Sequence, residues 1–198
     1  MELHESETKL NLMRAFAGES QARNRYTFAA SMAKKQNLAS VADMFLFTAG
    51  QEKEHAEIFY RYLNSMKGKT IKFDAGYPID DDSSISALLH ASHKNETEEA
   101  TDIYPAFANK AEEEGFSAIA ASFRMIAEIE RTHADRFAHF ATFSSQGELF
   151  LSSEECAWMC LNCGHVHKGK SAPSVCPVCQ HNQGYFIRLA DAPYTSLY

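Results

Sequence analysis

The sequence predicts a mainly α-helical protein, a four-helix bundle followed by a small module stapled by cysteine-bound metal. Three observations support this prediction. Helical periodicity fills the first part of the chain, and all five cysteines and three of the five prolines follow residue 155. A break at Ser144-Ser145-Gln146-Gly147 separates the two compositions. We therefore predict one domain over 1–146 and a second over 147–198.

Composition and charge exclude several classes of protein. The 198 residues are 45% hydrophobic, which is enough apolar surface to form a core. The formal charge is -7 and no Lys/Arg run exceeds two, which argues against nucleic acid or an anionic membrane as a partner. No apolar run approaches 18 residues, so no membrane span is expected. The first ten residues show no signal-peptide pattern, and we expect a cytoplasmic protein.

Hydrophobic spacing and stop signals divide the first domain into helices over about 5–36, 39–66, 84–114 and 117–144. Leu10, Met13 and Phe16 recur at the spacing of one helix face. Asn37 stands where a left-handed residue ends a helix, and Gly115 followed by Ser117 marks a stop and a new cap.

Two features interrupt this pattern. Residues 67–83 contain two glycines, a proline and three consecutive aspartates, and they predict a long irregular crossover between two helical hairpins. Pro105 lies inside the predicted third helix, where it removes a backbone donor and predicts a kink.

Carboxylates and histidines repeat at matched spacing in the two hairpins. The first hairpin has Glu19 and then Glu52 with His55, and the second has Glu96 and then Glu130 with His133. The two glutamates are 33 residues apart in the first hairpin and 34 in the second. An i, i+3 pair shares one helix face, so each Glu-x-x-His can reach one metal. This is the layout of a carboxylate-bridged dimetal centre in a ferritin-like bundle.

A single Glu-x-x-His motif is more often a solvated helix face than a ligand pair. Here Glu19, Glu52 and Glu130 follow small and apolar residues. A buried carboxylate without a partner is costly, so these positions indicate a bound cation. Oxygen ligands with a few imidazoles suit iron or manganese.

A fifth carboxylate, Glu99, lies three residues after Glu96 and should share its face. Four glutamates balance two divalent ions, and oxidation of the metals adds positive charge. We therefore hypothesise that Glu99 binds the oxidised centre and that His55, a neutral ligand, serves the reduced one.

The C-terminal cysteines predict a second metal site. Cys160 and Cys163 form one Cys-x-x-Cys pair, and Cys176 and Cys179 form another. Two such pairs build a tetrahedral tetrathiolate site that suits zinc or iron. Trp158, Tyr185 and Phe186 would supply the small aromatic core that such a module needs. Cys156 is expected to be a free thiol.

These motifs together resemble the rubrerythrin family over nearly the whole chain. The similarity rests on residues 15–26, on 51–56, on Tyr104-Pro105 after Glu96 and Glu99, and on 130–137. The tail resembles the rubredoxin-like domain of that family. One departure is Gln180, which stands after the second cysteine pair where the family usually has glycine.

The resemblance implies a non-haem di-iron peroxidase that reduces hydrogen peroxide to water. It implies that Glu52 and Glu130 bridge the irons, that Glu19 ends on one iron, and that Glu96 and His133 end on the other. His55 and Glu99 would exchange on the Glu19 iron. The tyrosines expected near the cluster are Tyr26 and Tyr104. The tail would hold a single iron, and zinc or manganese substitution is possible.

The resemblance also implies partners. Electrons would come from NAD(P)H through a separate rubredoxin or reductase. The tail leaves from one end of the bundle, well away from the cluster, so we expect a head-to-tail homodimer or larger assembly in which electrons cross between subunits. Three other functions fit the sequence less well. Ferroxidase or iron storage, and a manganese catalase, would not need the tail, and a nucleic-acid-binding zinc ribbon would need a basic stripe that this tail lacks.

Overall fold

The computed structural model describes residues 1–193, and it contains a helical bundle followed by a three-stranded sheet. The helices are α1 (Glu7–Lys35), α2 (Ala39–Tyr62), α3 (Ile85–Glu98), α4 (Tyr104–Glu113) and α5 (Ser117–Gln146). A π-helical segment, Glu99–Ile103, joins α3 to α4, so that these three elements form the third long helix of the bundle. The predicted fold class is confirmed.

Local signals fix several helix ends, and the sequence predicted those at Asn37 and Gly115. Ser6 caps α1 by accepting from the Lys9 amide at 3.1 Å, and Asn37 ends the hairpin turn in the left-handed region at φ 59°. Gly115 adopts φ 85° at the end of α4. The predicted serine cap of α5 is wrong. Ser117 is the first helical residue, and its hydroxyl donates to Glu112 at 2.8 Å instead of accepting from the backbone.

The structure places the π-helical segment directly before Pro105, where the sequence predicted a kink. Proline has no amide proton to offer the carbonyl four residues earlier. The backbone instead forms one wider, π-helical turn. In this turn the Tyr104 amide donates to the Glu99 carbonyl five residues back. This irregular turn carries Glu99, one of the predicted ligands.

Two apolar layers fill the bundle and leave a polar layer between them. One layer, near the α1–α2 turn, contains Phe45, Leu89 and Phe137. The other, toward the opposite end, contains Leu12, Phe59 and Phe123. The predicted acidic and histidine ligands lie between these layers, which shield them from water at both ends.

The tail is a small antiparallel sheet with its own core. Its strands are β1 (Leu151–Cys160), β2 (Val166–Ser171) and β3 (Phe186–Arg188), with β1 in the middle. Trp158 and Phe186 are fully buried beside Cys160 and Cys176, and Tyr185 packs against them. The predicted aromatic core is therefore confirmed.

The tail packs against the end of its own bundle that carries the α1–α2 turn. Ile187 and Ala192 belong to the same apolar layer as Phe45 and Phe137. Gly184 approaches this turn so closely that an added Cβ would lie 1.7 Å from the Asn37 carbonyl oxygen. The requirement for glycine here comes from this close approach.

Among residues 1–193, no helix is both long enough and apolar enough to cross a membrane.

Candidate metal centre

Four helical stretches each project ligand side chains into the polar layer. Glu19 on α1, Glu52 on α2, Glu96 on α3 and Glu130 on α5 have no exposed surface. His133 is equally buried and His55 is 5% exposed. In α2 and α5 the histidine lies three residues after the glutamate, so one helix face presents both.

The six side chains form two groups that share two members. Glu19, Glu52, His55 and Glu130 place ligand atoms within 4.8 Å of one another, and so do Glu52, Glu96, Glu130 and His133. The structure thus brings together all six residues from the doubled motif.

The two shared carboxylates divide their oxygens between the two groups. Glu52 turns Oε1 to His133 Nδ1 at 2.9 Å and Oε2 to His55 Nδ1 at 3.3 Å. Glu130 turns Oε2 to His133 at 2.7 Å and Oε1 to His55 at 2.9 Å. A carboxylate with one oxygen in each of two neighbouring sites is the arrangement of a bridging ligand.

The inward-facing atoms have no hydrogen-bond partner within residues 1–193. They are Glu19 Oε2, both carboxylate oxygens of Glu52 and of Glu130, Glu96 Oε2, and Nδ1 of His55 and of His133. Buried polar groups without partners are rare in proteins because desolvation is costly. Crowded oxygens and imidazole nitrogens that do not bond to one another fit a pair of cations between them.

Burial perturbs the titration of this cluster strongly. Desolvation, with the charges of Glu130 and Glu52, raises the pKa of Glu19 well above its ordinary value. Desolvation and Glu52 raise the pKa of Glu96 to about 8. Burial opposes protonation of His55, but the facing carboxylates of Glu130 and Glu52 prevail and raise its pKa to about 9. Metal binding to such groups must displace protons.

Two tyrosines, which the family resemblance implied near the cluster, contact the carboxylates that belong to one ligand group only, Glu19 and Glu96. The Tyr26 hydroxyl donates to Glu96 Oε1, and the Tyr104 hydroxyl donates to Glu19 Oε1. Both phenols are buried, and burial raises the pKa of each well above its ordinary value. Each tyrosine therefore stays protonated and satisfies one oxygen, leaving the other free to face the centre.

Glu99 lies beside the centre and outside both groups. It is half-buried on the π-helical segment, whereas the four other glutamates have no exposed surface. Burial, together with the charges of Glu96 and Glu130, raises the pKa of Glu99 well above its ordinary value. The structure thus places His55 inside the cluster and Glu99 at its edge.

A polar network that the sequence interpretation missed orients His133. His133 donates from Nε2 to Gln51 Oε1 at 3.1 Å, which leaves Nδ1 facing the carboxylates. Arg136 donates to the same oxygen at 3.2 Å and to Thr48 Oγ1 at 2.9 Å. Gln51 and Arg136 lie within the recognised motifs, and the spacing of Arg136, three after His133, was the available signal.

The four predicted tail cysteines also converge. Cys160, Cys163, Cys176 and Cys179 place their sulfurs within 4.8 Å of one another. The His181 amide hydrogen-bonds to the Cys179 sulfur and lowers the pKa of that thiol to about 5. A thiolate held by backbone amides is the form that binds a metal. Cys156 lies outside this group.

Gln180 occupies a glycine-like conformation at the second cysteine pair. Its φ is 63°, close to the 76° of Gly164 at the matching position of the first pair. The amides of Gln180 and Gly164 donate to the carbonyls of Cys176 and Cys160, at 3.0 and 2.8 Å. The turn is therefore formed as usual, but with a side chain in the left-handed region.

Comparison with known families accounts for both parts of the chain. The family model described as Rubrerythrin matches residues 11–141, and the one described as Rubrerythrin, rubredoxin-like domain, matches residues 158–187. The chain belongs to the rubrerythrin family. It is 48% identical to the rubrerythrin of Porphyromonas gingivalis over 181 residues, covering 91% of this chain and 89% of the relative. The rubrerythrin of Clostridium perfringens is 41% identical over 182 residues, with 91% and 93% covered.

Solved structures support the same fold. Fully reduced, all-ferrous nigerythrin matches with a TM-score of 0.62 and 29% identity, covering 92% of this chain and 86% of that one. Bacterioferritin from Desulfovibrio desulfuricans matches with a TM-score of 0.64 at 18% identity, covering 72% of this chain and 82% of that one. The second similarity shows the ferritin-like fold alone. For this rubrerythrin, the family implies iron-based redox function.

Proposed function

We propose that this rubrerythrin is a di-iron peroxidase that reduces hydrogen peroxide to water. The main support for this proposal is a pair of buried ligand groups that have Glu52 and Glu130 in common. The same chain also contains a four-cysteine site. The reaction takes two electrons and two protons per peroxide, breaks the O–O bond and yields two waters. Two adjacent irons would supply the two electrons together when bound.

The protein's own residues would hold this centre and limit its chemistry. Glu52 and Glu130 would bridge, Glu19 and His55 would complete one site, and Glu96 with His133 the other. Tyr26 and Tyr104 fix Glu96 and Glu19 by hydrogen bonds, so these carboxylates cannot swing away. The apolar layers on both sides exclude bulk water from the centre.

We further propose that Glu99 exchanges with His55 as the centre is oxidised. His55 lies inside the cluster, and Glu99 lies at its edge on a π-helical turn. A carboxylate compensates the added positive charge of an oxidised centre better than a neutral imidazole does. In the reduced centre His55 would be the ligand and Glu99 would stay at the edge.

The tail would serve as the electron relay in this proposal. A tetrathiolate site that holds iron passes single electrons, whereas zinc has no redox chemistry. The presence of such a site beside the bundle favours a peroxidase over iron storage, because storage does not need an electron donor. Electrons would come from NAD(P)H through a separate rubredoxin or reductase. Thiolate ligands of this kind suit the reducing cytoplasm.

The proposal is tested by peroxide turnover together with metal analysis. Protein made anaerobically with iron should contain three irons per chain, show the visible absorption of a ferric tetrathiolate, and reduce peroxide when given NAD(P)H and a rubredoxin reductase. Zinc-loaded protein should be colourless and inactive and serves as the control. Iron-loaded protein that does not reduce peroxide under these conditions would contradict the proposal.

The proposed exchange has its own test. The His55→Ala variant should retain two metals in the bundle, because Glu99 can replace the lost ligand, but it should turn over peroxide slowly because its reduced centre lacks a ligand. Glu57→Ala, a change on the same helix outside both ligand groups, is the control. Unchanged peroxidase activity in His55→Ala would rule the exchange out.

A further inference from the structure

A cleft of about 510 Å³ opens beside the proposed dimetal centre. It lies between α1, the crossover segment that follows α2, and the third helix of the bundle. Glu99 and Tyr104 both line it. Since Tyr104 donates to Glu19, the cleft reaches residues that contact the centre directly.

The volume of this cleft is far larger than hydrogen peroxide requires. A molecule the size of water takes up roughly 30 Å³ in the liquid, and hydrogen peroxide is only slightly larger. A cleft of several hundred Å³ is instead the size that holds small organic ligands. The cleft could therefore admit a substrate with a carbon group attached to its peroxide.

The walls of the cleft are suited to such a carbon group. Tyr77, Ile103 and Phe107 line it, and Tyr77 and Ile103 each leave 38% of their surface exposed. The charged residues in its lining include both signs: two are basic and three acidic, namely Arg14, Lys94, Asp74, Glu98 and Glu99. An apolar wall with no dominant charge favours a neutral, partly apolar ligand over an ion.

The crossover segment that forms the outer wall is fixed on both sides of Tyr77. The Arg14 guanidinium donates to the Asp74 carbonyl at 3.0 Å, and the Tyr77 hydroxyl donates to the Arg14 carbonyl at 2.8 Å. Beyond Tyr77, Asp80 accepts from Arg25 at 2.8 Å. A wall anchored in this way provides a preformed site, which lowers the entropic cost of binding.

We propose that this cleft binds organic hydroperoxides, with the carbon group against Tyr77 and Ile103 and the peroxide group at Glu99. This proposal rests on the peroxidase function and extends its substrate class. The O–O bond of the hydroperoxide breaks, two electrons come from the same donor chain and two protons from solvent. The products are one alcohol and one water.

The experiment compares cumene hydroperoxide with hydrogen peroxide on the iron-loaded full chain. We expect both to be reduced. Ile103→Ser should lower kcat/KM for cumene hydroperoxide about tenfold more than for hydrogen peroxide, which is the scale of a lost contact in an apolar pocket. Ile79→Ser, the same change at a residue 97% exposed on the crossover, is the matched control and should alter neither.

A binding measurement that does not depend on turnover completes the test. Calorimetric titration of the oxidised, iron-loaded protein with cumyl alcohol, the reduction product, should show binding that Ile103→Ser weakens and Ile79→Ser does not. Reduction of hydrogen peroxide without measurable reduction of cumene hydroperoxide would overturn this inference and leave the proposed function intact. Equal losses for both peroxides in Ile103→Ser would also overturn it. No reduction of either peroxide would remove the proposed function, and this inference with it.

Discussion

Glu96 and His55 show what burial does to single residues in this cluster. The pKa of Glu96 is raised to about 8 by desolvation and by the Glu52 charge, and that of His55 to about 9 by its carboxylate partners. At neutral pH both groups therefore carry a proton in the metal-free protein. A metal needs the carboxylate and the neutral imidazole, so binding must release these protons.

Metal affinity of the bundle should consequently rise with pH. Below pH 8 both Glu96 and His55 must lose a proton for the cation to bind, so raising the pH from 6 to 8 lowers the free-energy cost of deprotonating them. We expect competition with a chelator to give tighter loading at pH 8 than at pH 6, and a pH indicator in weak buffer to detect proton release at pH 7. Loading that releases no protons and does not vary with pH would contradict the ligand assignment.

The ligand residues were predictable from sequence because they are repeated. Glu19, Glu52 and Glu130 could be singled out from many other helical glutamates by matched spacing in two hairpins. Gln51 and Arg136 could not be assigned a role in the same way, because their contacts cross from α2 to α5 and depend on the packing of the two helices. A single sequence does not specify such contacts.

Gln180 offers a test of backbone strain at one residue. It adopts φ 63°, a region where a side chain costs roughly 1–2 kcal/mol and glycine does not. Gln180→Gly should therefore stabilise the tail by about 0.5–1 kcal/mol, after the greater chain entropy of unfolded glycine is allowed for. Chemical unfolding followed by the thiolate–metal absorption measures this. Gln183→Gly, at a position without positive φ, is the control and should not stabilise the tail.

The crossover between the two hairpins is held in place by hydrogen bonds that its sequence does not suggest. Its composition predicted an irregular connection, and residues 67–83 indeed contain no α-helix or strand. They are nevertheless anchored, because Asp80 accepts from Arg25 on α1 and from Asn95 on α3. The side chains of Asp80 and Arg25 are only 10% and 13% exposed.

Removing this anchor should loosen the crossover. Asp80→Ala leaves the Arg25 guanidinium poorly solvated and without its partner, and we expect a loss of about 1–3 kcal/mol in the free energy of unfolding. Asp82→Ala, an exposed position two residues on, should change stability by less than about 0.5 kcal/mol. Thermal or urea unfolding of the metal-free proteins compares the two. An equal effect of both substitutions would show that the Asp80 contacts do not hold the segment.

The irregularity in the third helix of the bundle was only partly predictable from sequence. Pro105 correctly indicated an irregularity, but the sequence did not distinguish a kink from a π-helical turn. The difference matters, since the wider turn sets the orientation of Glu99 relative to Glu96. Both α3 and α4 pack against α5, and a single sequence does not specify such tertiary contacts.

The tail lies at one end of the bundle, whereas the proposed centre lies in the middle of the bundle. A cleft of about 570 Å³ between the tail and the bundle is lined by Met44 of α2 and by Leu161, which follows Cys160. Met44 precedes His55 by eleven residues, or roughly 16 Å along a helix. We therefore predict that electrons reach the centre from the tail of a partner subunit in a head-to-tail assembly.

Mixed subunits test this prediction. One variant, Cys160→Ser, lacks a tail ligand, and the other, Glu52→Ala, lacks a bridging ligand. After subunit exchange, NAD(P)H-linked peroxide reduction should partly recover, because an intact tail then faces an intact centre. A mixture in which one partner carries both substitutions is the control. No recovery, despite mixed assemblies confirmed by mass, would rule out transfer between subunits.

The most direct test of the central claim is the metal content of a bridging-ligand variant. Glu130→Ala removes an oxygen donor from both buried groups, whereas Glu128→Ala removes an exposed carboxylate from the same helix. Elemental analysis of iron-loaded proteins should find three metals per chain in Glu128→Ala. In Glu130→Ala it should find only the tail metal, with the tetrathiolate absorption intact. Three metals per chain in a folded Glu130→Ala protein would contradict the assignment of a carboxylate-bridged pair.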